Sequence, residues 1–234
     1  MVDILGSIDA KIELNEETIR KCNQILATFF ELFFAKIKNN DSRAIGTLDV
    51  VVSDFVANGS FADLKKNVQI LEEPSYAYFI RNTDLKAYSF QKYVDKFTYD
   101  FLSKSSLYGN EVLISNVGDV GSVFLCPKLD KKMTLGNNMI YINSIGERYY
   151  NFYLYFLFLS EEGQYLIRGI TGGSAQPKFN KTDFRNTLIP IPDKNELELF
   201  NEEVIPYLQK IDHLHAQNNK LNELKQLYLK KFFS

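Results

Sequence analysis

Between Gln164 and Arg185 the chain gathers side chains suited to contact an anion. Arg168, Lys178, Lys181 and Arg185 stand there against one acid, Asp183. Thr171 and Ser174 add hydroxyls, Gln176 and Asn180 add amides, and Gly172 and Gly173 free backbone N–H groups for close approach. These groups suit phosphates and base edges alike: Gln and Asn can pair in bidentate fashion with adenine, Arg and Lys with guanine or phosphate. On charge alone solvated surface is the better reading, both here and at Lys128, Lys131 and Lys132, which lie beside Asp130 in a turn. Likewise Gly173 to Pro177 also fits a structural turn whose Gln176 caps a helix end.

Groups for making or breaking bonds are scarce. The two histidines, His213 and His215, lie about 200° apart around a helix and cannot share a metal. A nuclease needs clustered carboxylates and a lysine around a metal. Asp193 and the Glu223-Leu224-Lys225 triplet have the right types, but about thirty residues separate them and the triplet falls on a helix face. No Asn-Pro-Pro-aromatic string occurs, nor a Gly-rich turn after a strand of the kind that cradles S-adenosylmethionine. The expectation is a non-enzyme with no catalytic residue, metal or cofactor.

The elements that must position the contact groups begin and end the chain. At an offset of about 203 residues Ile8-Asp9 falls on Ile211-Asp212, Asn15 on Asn218, Leu26 on Leu229, and Phe29-Phe30 on Phe232-Phe233. In the first copy Ile8, Ile12, Asn15, Ile19, Cys22, Leu26, Phe29 and Phe33 follow alternating steps of four and three, the seam of a coiled coil. The second is rougher: Ile211, Leu214, Leu221, Leu224 and Tyr228 surround Asn218, with His215 and Lys225 diluting the stripe. A lone Asn among apolar seam residues penalises wrong registers, which would bury its amide without a partner. Two ordinary amphipathic helices are the plainer alternative.

Between the copies, 234 residues with 45% apolar content leave ample material for a core in one or two domains. Strand-like runs dominate from about Ala44 to Asn143: Ile45 to Val56, Tyr76 to Arg81 followed by a turn at Asn82 to Asp84, Glu111 to Asn116, Ser122 to Cys126, and Met139 to Ile142. Short strands bounded by Gly, Asn and Pro make a mixed, mostly antiparallel sheet. Helices follow at Ile145 to Ser160 and Glu161 to Ile170, then the loop Thr171 to Pro177. Pro190 and Pro192 extend the connector, Asp193 and Glu196 have capping-box spacing, and Pro206 should kink the last helix or mark its restart near Tyr207.

No N-terminal stretch reads as a secretion signal, and Tyr149 to Ser160 is too short to cross a bilayer. With Cys22 and Cys126 far apart, buried thiols in a reducing cytoplasm, and no membrane, are the expectation. A formal charge of −2 carries no basic excess of the kind nucleic-acid binders often show.

Gly173 to Pro192, GSAQPKFNKTDFRNTLIPIP, resembles the end of a target recognition domain in the specificity subunits of type I restriction-modification systems. Phe101 to Pro127 resembles the strand–Gly–strand core of those domains, and Gly136-Asn137-Asn138 the small turn before their next strand. The IPIP stretch with the acidic helix after it, and Ser7 to Glu17, are similar to the family's two spacer-helix regions. The resemblance covers nearly the whole chain, and its specificity lies in the combination of parts.

It implies an α+β fold: a target recognition domain at 41–190, its mostly antiparallel sheet carrying helices, between spacer helices at 1–40 and 191–234 that form an antiparallel coiled coil. A full subunit of the family holds two recognition domains, each reading one half of a bipartite DNA sequence. This chain has one, so it is similar to a half-subunit, closest to the C-terminal half with the preceding spacer helix attached. Two copies are then expected to pair through their helices and read an inverted repeat whose gap is set by helix length, at about 1.5 Å per residue. The partners implied are double-stranded DNA, methyltransferase subunits and, through them, the restriction subunit. The dimer and partner helices would use Ile8, Ile12, Asn15, Ile19, Leu26, Phe29, Ile211, Asn218, Leu221 and Tyr228.

For DNA, Arg168, Lys178 and Lys181 are assigned to the backbone, and Gln176 to a base or to fixing the loop, with Thr171, Gly172, Gly173, Ser174 and Asn180 around them. The loop recurs in a family that reads different sequences, so sequence choice is expected near Ser60-Phe61-Ala62, Lys65-Lys66, Arg81 to Lys86 and Tyr88 to Lys96. The competing reading is a scaffold or decoy half-subunit that only dimerises or binds partner subunits.

Overall fold

A computed structural model of the chain describes the backbone of residues 2–147 and 149–233 and the side chains of 4–147 and 149–231. Helix α1 (Val2–Ile37) leads into strand β1 (Ser42–Ala44), β2 (Val50–Asp54), α2 (Phe61–Asn67), β3 (Ala77–Ile80), α3 (Asn82–Ala87), β4 (Tyr93–Val94) and α4 (Lys96–Phe101). Five strands follow: β5 (Ser106–Leu107), β6 (Val112–Ser115), β7 (Val123–Leu125), β8 (Lys132–Leu135) and β9 (Met139–Ser144). The chain ends with α5 (Asn151–Leu159), α6 (Glu161–Ile170), α7 (Lys181–Asn186), β10 (Leu188–Pro190) and α8 (Lys194–Phe233). It separates into two compact units, Met1–Ala35 with Glu202–Ser234, and Lys36–Asn201.

In the helical unit Ile8, Asn15, Ile19, Cys22, Leu26 and Phe30 are buried, with Ile12, Phe29 and Phe33 half-buried. The expected seam therefore holds to Leu26 and then shifts from Phe29 to Phe30. Two successive steps of four do this, a stutter that locally unwinds the supercoil. On α8 Leu214 and Asn218 are buried and Ile211, Leu221 and Tyr228 half-buried, whereas Leu224 is exposed. Lys225 takes the place expected for Leu224, since its ammonium reaches the Asp9 carboxylate at 2.5 Å. Asn15 donates to Asn218 at 2.7 Å. As partners on α1 rise from Asp9 to Asn15, those on α8 fall from Lys225 to Asn218, so the two helices form an antiparallel coiled coil. The match of Phe29-Phe30 to Phe232-Phe233 involves side chains outside the described residues.

Pro206 marks no restart. Helix α8 runs through it, and Pro206 and Glu202, whose carbonyl loses its donor there, are both exposed to water. The expected capping box does form: Asp193 N–H donates to Glu196 and Glu196 N–H to Asp193, each at 2.8 Å.

The second unit holds two four-stranded sheets and a short pair. One sheet, β2-β9-β6-β7, is antiparallel throughout. The other, β4-β3-β8-β5, contains one parallel pairing, β3 with β8. Strands β1 and β10 pair antiparallel, with Arg43 opposite Ile189. Strand β6 is buried along its whole length, as its uninterrupted VLIS run requires. Ile80, Leu107, Leu113, Cys126, Leu135 and Met139 form one core cluster, and Leu64, Ala77, Phe79, Val94 and Leu102 another. Both cysteines are buried, and neither forms a disulfide.

Helix α5 is apolar on nearly every side, with Phe152, Tyr153, Leu154, Leu157 and Phe158 buried. Tyr153 donates its hydroxyl to the Pro190 carbonyl at 2.6 Å, and burial pushes its phenol above the usual range. The helix starts at Asn151, later than the expected Ile145, because the Asn151 side chain holds the end of β9 in place. Its Oδ1 accepts from Ser144 N–H at 2.8 Å and Ser144 Oγ at 2.9 Å, and its Nδ2 donates to the Asn110 carbonyl at 2.8 Å.

Three helices lie within the stretch expected to be strands and turns, each started by a short local cap. Ser60 and Asp63 form a capping box on α2 at 3.2 Å both ways. The expected turn at Asn82 to Asp84 is the first turn of α3, where Asp84 accepts from Arg81 N–H at 3.0 Å. Asp95 accepts from Thr98 N–H at 2.8 Å and starts α4. Ile45 to Val56 is likewise no single strand: 3-10 turns at Ile45–Thr47 and Phe55–Asn58 flank β2. Lys132 opens β8 and lies outside the turn expected around it.

Candidate nucleic-acid interface

The turn Val117 to Ser122, between β6 and β7, joins three segments that the sequence had singled out separately. Gly118 N–H donates to the Pro177 carbonyl at 2.9 Å, tying the turn to the Gly-rich loop. Asp119 accepts from Lys86 at 2.7 Å, Asn82 at 2.8 Å and Ser122 Oγ at 2.6 Å, tying it to α3. Gly121 gives its carbonyl to Gln164 Nε2 of α6 at 2.8 Å. With three donors converging on it, Asp119 titrates at about 2, Lys86 contributing most and then Ser122 and Asn82.

The loop is a closed tongue. Gly172 and Lys178 exchange both backbone hydrogen bonds at 2.9 Å, so the five residues between them project as one turn. Gly173 has φ +88°, and a Cβ there would lie 2.7 Å from the Gln176 carbonyl, so only glycine closes the turn without strain. Ser174, Gln176 and Lys178 are exposed on it. Thr171 is spent at its root, donating Oγ1 to the Ile167 carbonyl at 2.7 Å. Asn180 caps α7 by accepting from Asp183 N–H at 2.9 Å.

A pocket of about 460 Å³ opens beside the tongue. Its lining includes Val56, Phe61, Lys65, Asn116, Val117 and Asn137. Val117 also bridges to Lys178, and Asn116 donates its amide to the Phe179 carbonyl at 3.2 Å. Asp54, in the same lining, receives the Lys181 ammonium at 2.8 Å as well as Ala57 N–H at 2.9 Å. Gly136 makes the turn at Asn137-Asn138 possible: a Cβ on it would meet the Ile80 carbonyl at 2.8 Å.

The expected site residues thus separate into two kinds. Arg81, paired with Asp84 at 2.6 Å, Lys86 with Asp119, and Lys181 with Asp54 spend their charge inside the fold. Lys65, Lys66, Arg168 and Lys178 are exposed, and no ion pair is found for them among the described residues. Lys65 lines the pocket, the tongue reaches its edge through the bridge of Lys178 to Val117, and Lys86 is tied to the same turn through Asp119, whereas Ser60 and Lys66 are outside the lining.

Lys131 and Lys132 are elsewhere, at the start of β8, whose far end leads into the pocket wall. Lys132 lies over the Tyr76 and Tyr99 rings at 5.4 Å, and Lys131 donates to the Ser75 carbonyl at 3.1 Å. Sequence reading missed Asp54 and Asp119, the two carboxylates that organise the site. Gly118 and Gly121 around Asp119 were the available signal for a constrained turn.

Residues 53–226 match the model of a family described as Type I restriction modification DNA specificity domain. The chain belongs to this family, the specificity subunits of type I restriction-modification systems. No curated protein matches it in sequence. Among solved structures it is similar to the type I restriction-modification S subunit from M. genitalium, at 14% identity and a TM-score of 0.56, covering 98% of this chain and 56% of that one. The HsdS subunit from Thermoanaerobacter tengcongensis aligns at 16% identity and a TM-score of 0.48, covering 98% of this chain and 56% of that one. The chain therefore spans just over half the length of the solved subunits it matches. Among the described residues no helix is long and apolar enough to cross a membrane, and no cluster of His, Cys, Asp and Glu could hold a metal ion.

Proposed function

We propose that this chain is a half-length DNA-recognition subunit that reads one half of a bipartite site and holds methyltransferase subunits there without catalysing a reaction itself. The observation that carries the proposal is the tongue of Gly172 to Lys178 anchored on the Val117 to Ser122 turn, which sets the exposed Lys178 and Gln176 beside a pocket lined by Lys65, within a family of DNA specificity domains. Lys65, Lys66, Arg168 and Lys178 meet phosphates. Gln176 and Ser174 lie against the groove or shape the tongue, and Lys181, Arg81 and Lys86 position the elements that carry the contacts.

Pairing of two copies completes the site. The seams of α1 and α8 already face each other within one chain, so a second copy must use another face. Ile4, Ile25 and Leu32, whole heptads apart, remain exposed on α1 and supply one for a second copy or for methyltransferase. Two readers related by a two-fold axis would recognise an inverted repeat with a fixed gap.

Gel-shift titration of the chain with random duplexes, with and without methyltransferase, tests the proposal. Salt-sensitive binding supports it, and its absence in both cases leaves a scaffold that only binds subunits. Solution mass tests the pairing: a strict monomer at micromolar concentration, even with methyltransferase present, contradicts it.

A further inference from the structure

The pocket beside the tongue has a lining that phosphate contact does not require. Phe61, in the first turn of α2, is 83% exposed, and Val56 beside it is 59% exposed. Nothing in the packing of α2 calls for a bare phenyl ring there, because Leu64 is the residue that buries the helix. Asn116 and Asn137 share the lining with the ring, the Asn116 amide N–H already donating to the Phe179 carbonyl, and Lys65 stands one helical turn further along α2. Asp54, the one acid among the described lining residues, is already occupied by Lys181 and Ala57 N–H. An aromatic platform, hydrogen-bonding amides and an ammonium match the three parts of a nucleotide: its flat face, its polar edge and its phosphate.

We propose that this pocket receives one unstacked nucleotide of the bound DNA, with Phe61 as its stacking platform and Lys65 on its phosphate. The inference rests on the DNA-recognition reading above and deepens it. Extruding a base from a duplex costs free energy, least where the base has no pairing partner. The protein therefore discriminates between duplexes by how easily one base leaves the stack, a form of recognition that salt-dependent backbone contact cannot supply.

The test titrates the full chain with two random-sequence duplexes that differ only by a single bulged nucleotide. The bulged duplex is expected to bind about five- to a hundredfold more tightly, the range one base–aromatic stack supplies. Phe61→Ala, at an exposed position, should abolish that preference while leaving the melting temperature unchanged. Equal binding of the two duplexes by the natural chain, or a preference that survives Phe61→Ala, overturns the inference and leaves DNA recognition standing. No salt-sensitive binding to either duplex overturns the recognition reading and the inference together.

Discussion

Asn15 and Asn218 occupy equivalent positions in the two helical copies, and they hydrogen-bond to each other across the seam at 2.7 Å over a separation of 203 residues. Asn15 is 1% exposed and Asn218 8%, and Gln217 accepts a second bond from the Asn15 amide at 2.8 Å. A repeat whose matching residues meet in an antiparallel pair has a local two-fold axis through that contact. The Asn pair fixes the register, since a slip would bury both amides without partners. Asn15→Ala should cost about 1–2 kcal/mol, measured by denaturant unfolding. Replacing both Asn15 and Asn218 with Leu should raise the melting temperature while loosening register and oligomeric state, which light scattering would detect.

Gly163 tests the junction of α5 and α6. A Cβ there would sit 2.0 Å from the Leu157 carbonyl and 2.6 Å from Phe158 Cα, both backbone atoms with nowhere to move. Gly163→Ala should destabilise the recognition domain by about 3 kcal/mol, read from the chemical-denaturation midpoint. An unchanged midpoint would show that the two helices approach less closely than described.

Asp119 gives the site an acid limit. Its folded value of about 2 lies below the ordinary value of 3.8, so its contribution to stability is complete above the latter and fades as pH falls toward the former. The carboxylate is 47% exposed, which screens the effect to roughly 1 kcal/mol at most. Asp119→Asn should therefore lose less stability than the natural chain between those two pH values, measured by thermal melting across the window.

Paired and unpaired lysines should respond differently to substitution. Lys178→Gln and Lys65→Gln should each weaken duplex binding and lower the salt slope by about one, with little change in melting temperature. Lys181→Ala should act mainly through stability, because it strands Asp54, which is largely buried, and the cost is about 1–3 kcal/mol with the salt slope kept. A Lys181→Ala variant with unaltered stability and a reduced slope would move Lys181 into the contact set.

The parts of the structure legible in sequence were those governed by local rules. Heptad spacing revealed α1 down to Leu26, the GG…P string revealed the tongue, and the Glu161 to Ile170 helix falls where its apolar pattern places it. Hidden parts depend on residues brought together from a distance. Asp54 and Lys181 are 127 positions apart, and Asn82 and Asp119 are 37, so no motif announces either pair. Helices α2, α3 and α4 run only six or seven residues, so one local cap decides each and apolar periodicity cannot register. Leu224 and Lys225 exchanged roles because Asp9, on the opposite helix, offers the lysine a partner at the seam's edge.

Selection of bound sequences from a random duplex pool, with the chain complexed to methyltransferase, tests the central claim most directly. A half-reader that pairs with a second copy predicts enrichment of one short motif repeated in inverted orientation at a fixed gap. Enrichment of two unrelated half-motifs, or of a single unrepeated one, would contradict the pairing of identical readers.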